Sequence, residues 1–135
     1  MGPRVYEIAE VNQLVPELER IFRELGAVRA RIKAQKLKLN ALEMIWGEAI
    51  HDPDTTDHKE YTHLSDEMRK LQHEFERITE HLAELGGQLK GLDPPLVDFY
   101  GVRDGRLVFW CWTEGDERID HWHHVDEGFV GRQPV

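Results

Sequence analysis

Apolar positions in the first half of the chain recur with a helical period. Leu14, Leu18, Ile21, Leu25, Val28, Ile32, Gln35, Leu39, Leu42 and Trp46 step by four and three in alternation, an a/d seam with one polar member, Gln35. A second seam follows in Tyr61, Leu64, Met68, Leu71, Phe75, Ile78, Leu82 and Leu85. Between them lies "HDPDTTDHKE", where Pro53 cannot continue a helix and Asp57 with Glu60 reads as a capping box. A short loop between two seams makes the helices antiparallel neighbours, a coiled-coil-like hairpin over about 14–86. Matching the seams core to core puts Trp46 near Leu64 and Leu39 near Leu71. Gly86-Gly87 ends the second helix, and Leu89 and Leu92 are expected to return alongside Ile21 and Leu18. Pro16 is tolerated only in a first turn, so the long helix starts near Leu14 and "YEIAEVN" forms a separate turn or kinked lead-in.

After "LDPP" the period changes to alternation. "LVDFYGV", "RLVFWCWT" and "RIDHWHHV" read as three strands of an antiparallel meander over about 96–125, the first two joined by the Asp-Gly turn of "RDGR" and the last two by "TEGDER". An ordered tail, 126–135, follows. The fold class is therefore α+β in a single domain, 1–135. If Arg103 pairs with Arg106 and Thr113 with Arg118, one face carries Asp98, Tyr100, Phe109, Cys111, Asp120, Trp122 and His124, and the other carries Phe99, Trp110, Trp112, Ile119, His121 and His123. Both faces are apolar enough to need a cover. The hairpin supplies one, and the tail or a second copy supplies the other, so a homodimer is expected.

Composition narrows the classes of partner. The chain has 135 residues and a formal net charge of −9, which argues against general affinity for nucleic acid or an anionic membrane. One cysteine, Cys111, rules out an internal disulfide and suits a reducing compartment. No apolar run reaches the roughly 20 residues that span a bilayer, and the first residues lack the layout of a secretory signal, so a cytoplasmic protein is expected.

Four groups of residues carry candidate chemistry. E-x-x-H occurs twice, at Glu48/His51 and Glu60/His63, but the heptad phase makes the four side chains diverge. The basic stretch Arg29, Arg31, Lys33, Lys36, Lys38 suits phosphate, yet no glycine loop or stacking array accompanies it, and it reads as a solvated flank of the seam. His121 and His123 form an H-x-H strand pair suited to one metal ion, with Asp126 as third ligand and Glu127 as a base if the protein is a hydrolase. Asp98, Cys111 and Asp120 lie side by side in the expected register, with Trp122 beside them, and Arg132 can fold back from the tail as a latch on Asp98 or Asp120, or the acids can receive a ligand. A thiol between carboxylates is a poor nucleophile, which speaks against a cysteine enzyme.

The order of "YEIAEVNQLVPEL", a long helical hairpin, "LVDF", "FWCW" and "HWHHVDEGFVGRQP" resembles the small bacterial family catalogued as domain of unknown function 2203, over nearly the whole chain. That family commonly has Thr or Ser where this chain has Glu7 or Ile8. The resemblance implies that Asp98, Cys111, Trp112, Trp122, His123, Asp126, Gly128, Phe129, Gly131 and Arg132 matter, and it implies no activity. The expectation is a self-associating interaction or scaffold protein without catalysis or cofactor. The alternative is a metal-binding protein or hydrolase built on His121, His123 and Asp126.

Overall fold

The structure is a computed structural model and describes residues 4–135. It is an α+β protein: helices first, then an antiparallel sheet. A short helix α1 (Ile8–Asn12) precedes the long α2 (Val15–Trp46), a 3-10 turn (Gly47–His51) and α3 (His58–Glu84). The lead-in is thus a separate turn of helix. Glu7 stands at its N-cap and donates its backbone N–H to Glu10 Oε1 at 2.8 Å, so an acidic pair does the work usually given to Ser or Thr. No helix is long and apolar enough to cross a membrane, among the described residues.

The chain divides into two compact units, residues 24–78 and residues 4–23 with 79–135. In the helical unit Leu42, Ile50 and Leu64 form a buried cluster, with Leu39, Trp46 and Tyr61 against it. Trp46 and Leu64 therefore share one core, as the matched seams require. Polar tips tie the same region together: Trp46 Nε1 donates to Asp57 Oδ2 at 2.7 Å, and Tyr61 Oη donates to Glu43 Oε1 at 2.9 Å.

The other unit is built on a sheet of five strands in the order β1 (Gln88–Leu92), β2 (Pro95–Arg103), β3 (Arg106–Thr113), β4 (His121–His124) and β5 (Gln133–Pro134). Three strands were expected. The two additional ones are short, and neither alternates. β1, "QLKGL", is interrupted by Gly91, where its register on β2 slips, so Leu89 and Leu92 belong to the sheet edge. β5 is two residues ending in proline, at the edge where a missing N–H is tolerated. Asp104 and Gly105 both have positive φ, as a two-residue hairpin turn demands.

The sheet face that meets Tyr6 and the start of α2 carries Val97, Phe99, Val108, Trp110 and Trp112, all buried. Phe22 packs on Trp112 (ring centroids 5.4 Å) and Tyr6 meets Phe99 edge-on (5.7 Å). Trp110 Nε1 donates to the carbonyl of Tyr6 at 2.8 Å, across a space left by Gly101, where any Cβ would lie 2.0 Å from that nitrogen. The N-terminal segment extends the sheet, since Val5 bridges Tyr100 in parallel.

The register between β3 and β4 corrects the expected faces. Cys111 pairs with His121 and Phe109 with His123, one residue away from a register that pairs Thr113 with Arg118. A slip of one sends every β4 side chain to the other face. His121 and His123 therefore join Asp98, Tyr100, Phe109 and Cys111, while Trp122 and His124 lie opposite. The cause is the connection 114–120, which is longer than a tight turn. Gly115 has φ +100°, Thr113 N–H donates to Asp116 Oδ2 at 3.2 Å, and Trp112 Nε1 donates to the Asp116 carbonyl at 3.0 Å. Ile119, fully buried, is then held by Asn12, whose side chain donates to the Ile119 carbonyl (3.0 Å) and accepts its N–H (2.6 Å).

Truncation of that amide leaves two buried backbone groups without partners. Asn12→Ala is expected to lower unfolding free energy by about 1–3 kcal/mol, measured by urea denaturation. An unchanged midpoint and slope would show that Ile119 does not depend on the clamp.

Candidate metal centre

Three adjacent strands each contribute one polar side chain to the middle of the sheet face remote from Trp110 and Trp112. β2 places Asp98, β3 places Cys111 directly opposite it, and β4 places His123. All three are buried, at 4%, 1% and 1% exposure. One donor atom from each lies within 4.8 Å of the other two, and this is the group of three such ligands found among the described residues. Neighbouring aromatics wall it: Phe109 lies against the His123 ring (5.5 Å) and stacks on Tyr100 (4.7 Å).

The hydrogen bonds of His123 determine what its ring carries. Nδ1 lies 2.8 Å from the carbonyl of His124, an oxygen that only accepts, so Nδ1 holds a proton. Nε2 lies 3.0 Å from Asp98 Oδ1. A proton on Nε2 joins the two in a hydrogen bond, and a metal ion bound by Nε2 and Oδ1 would take the place of that proton.

Cys111 is held as a thiol. Burial pushes its pKa up to about 12, the Asp98 carboxylate adds to this, and the Arg132 guanidinium opposes it. Arg132 comes from the tail, beside the thiol, with its Nη1 3.6 Å from Asp116 Oδ2 and its guanidinium 4.3 Å from the Phe129 ring centroid. That Nη1 is buried and has no hydrogen-bond partner.

Of the residues singled out in sequence, the structure gathers Asp98, Cys111, His123 and Arg132 in one place. His121 shares their face but lies beside Asp120, Nδ1 2.7 Å from Oδ1, and Asp126 is exposed, so His121, His123 and Asp126 do not converge. Asp120 is outside β4 and is not the partner of Arg132; Asp116 is, a residue the sequence reading passed over. Its signal was Asp after Glu-Gly, a turn-forming residue able to accept backbone N–H groups. Trp122 is on the other face, edge-on to His124 (5.1 Å) and under Arg103 (5.0 Å). Glu48, His51, Glu60 and His63 are all exposed.

Residues 4–135 match the model of a family described as an uncharacterized conserved protein, DUF2203, and the chain belongs to that family. No curated protein and no solved structure matches. Asp98, Cys111, His123 and Arg132, all carried by the motifs that resemble this family, are neighbours in space.

The raised Cys111 pKa has a worked sign. A thiol that binds its proton more tightly in the folded chain contributes stability that is complete below about pH 9 and declines as pH climbs toward 12. Denaturation midpoints are expected to fall over that window and to fall less in Cys111→Ala. At neutral pH a maleimide should leave the native thiol unmodified and label it on unfolding; rapid native labelling would refute the burial.

Proposed function

We infer that this is a non-catalytic metal-binding protein whose site is Asp98, Cys111 and His123, suited to a borderline-soft divalent ion such as Zn²⁺. The observation that carries this reading is the His123 ring. Its Nδ1 is fixed on a backbone carbonyl, and its Nε2 is turned toward a carboxylate and a thiol, the arrangement that orients a ligating histidine. Nitrogen, sulfur and oxygen donors match Zn²⁺, whose bonds of about 2.0–2.3 Å would set the donor atoms roughly 3.5 Å apart, so Nε2 and Oδ1 would part slightly from their 3.0 Å.

Charge supports the exchange. A dication held there would replace the proton between His123 and Asp98 and the proton of Cys111, two positive charges for two. The buried cluster keeps its net charge, and Arg132 remains beside the new thiolate. The same geometry weighs against a cysteine enzyme. Nε2 is committed to Asp98, the thiol is not ionised, and none of the three side chains is accessible to a substrate.

Untagged protein loaded with Co²⁺ is expected to bind about one equivalent and to show a sulfur-to-metal charge-transfer band. Cys111→Ser should abolish the band, and His123→Gln should weaken binding at least tenfold with the fold intact by circular dichroism. Less than a tenth of an equivalent bound, or a band that survives Cys111→Ser, would sink the site.

A second reading, the self-associating scaffold, is favoured by apolar surface on and before the tail. Val130 is 99% exposed, and Val125, Phe129 and Val135 are exposed as well. A mass that rises with concentration and falls in Val130→Asp, read by sedimentation, is the expected result; a constant monomer mass removes that reading.

A further inference from the structure

The long helix α2 carries a second seam. Its exposed residues Ala27, Ala30, Ala34, Leu37, Ala41 and Met44 step by three and four in strict alternation. They occupy the positions opposite the a/d seam that holds Val28, Leu39 and Leu42. Alanine is the best helix former, so exposed alanines alone require no partner. The large members are different: Leu37 is 64% exposed, Met44 86%, and the adjoining Ile45 69%. α3 has no such duplication, for the positions opposite its own seam are His63, Asp66, Lys70, His73, Arg77 and Glu80. One helix of the unit is therefore apolar on two faces and the other on one.

We propose that this outer face of α2 is a docking surface for an acidic amphipathic helix of another protein. Small residues along one column let a partner backbone come close, and Leu37 and Met44 supply the knobs. The seam runs for eighteen residues, about 26 Å at the usual rise, enough to engage a helix of four to five turns. Its flanks choose the partner. Arg31 and Lys38 border it on one side and Lys33 on the other, all exposed, in a chain whose formal net charge is −9. A helix with Glu or Asp beside its own apolar stripe meets opposite charge along both edges. A second copy of α2 meets its own sign in Arg31, Lys33 and Lys38, which disfavours self-pairing on this face. The surface lies within residues 24–78 and is independent of the metal site.

The test uses the full chain and two labelled synthetic peptides. Both have Leu and Ala at their core positions; one has Glu and the other Lys at every flanking position. The Glu peptide is expected to bind by fluorescence anisotropy, to weaken with added salt, and to weaken at least tenfold against Leu37→Glu/Met44→Glu. Both substituted positions are exposed, and circular dichroism checks that helicity is retained. In Arg31→Glu/Lys38→Glu the preference should move toward the Lys peptide. Absence of binding, equal binding of the two peptides, or binding untouched by the Leu37/Met44 variant overturns the proposal. So does a dimer that Leu37→Glu/Met44→Glu converts to monomer, which would assign the face to a second copy.

Discussion

Everything on the polar face of the sheet depends on one residue of register between β3 and β4. With Cys111 opposite His121, His123 reaches Asp98. One step along, His123 would stand among Trp110 and Trp112, and a buried carboxylate would have no imidazole. Nothing in β4 itself selects between these pairings, because its four residues are His, Trp, His and His and both sheet faces are aromatic. The choice is made on either side of the strand. The Asp116 turn sets how the chain leaves β3, and the Asn12 amide holds Ile119 just before β4 begins. A hydrogen bond from a short helix near the N-terminus thus determines which residues a histidine near the C-terminus touches.

The cluster also shows how a sheet tolerates three buried polar groups. Left alone, each would cost free energy comparable to a lost hydrogen bond or more. The His123 ring lies within hydrogen-bond distance of Asp98 on one side and of the His124 carbonyl on the other, and the thiol remains neutral. The arrangement is balanced with protons in place.

Much of the architecture was legible in the sequence because it rests on periodicity. The seams place the long helices to within a few residues, and the Asp-Gly turn fixes β2 against β3 in the register read from sequence. β1 and β5 were not legible, since five residues around a glycine and two ending in proline do not alternate. Asp98, Cys111, His123 and Arg132 were each visible as individual residues. Their convergence was not, because it depends on how residues 114–120 are spent, and on a side chain more than a hundred positions away. Alternation gives the two faces of a strand; it does not say which face is which when both are apolar.

The Val5–Tyr100 bridge and the Tyr6–Trp110 hydrogen bond place the start of the described chain inside the same sheet as its end. Residues 24–78 are consequently an excursion that leaves a folded unit and returns to it. Such an excursion can change length without disturbing its origin, provided both helices gain or lose whole heptads together. The sheet and its buried cluster lie outside those residues, and the helices of the excursion would each change in length by about 10 Å per heptad.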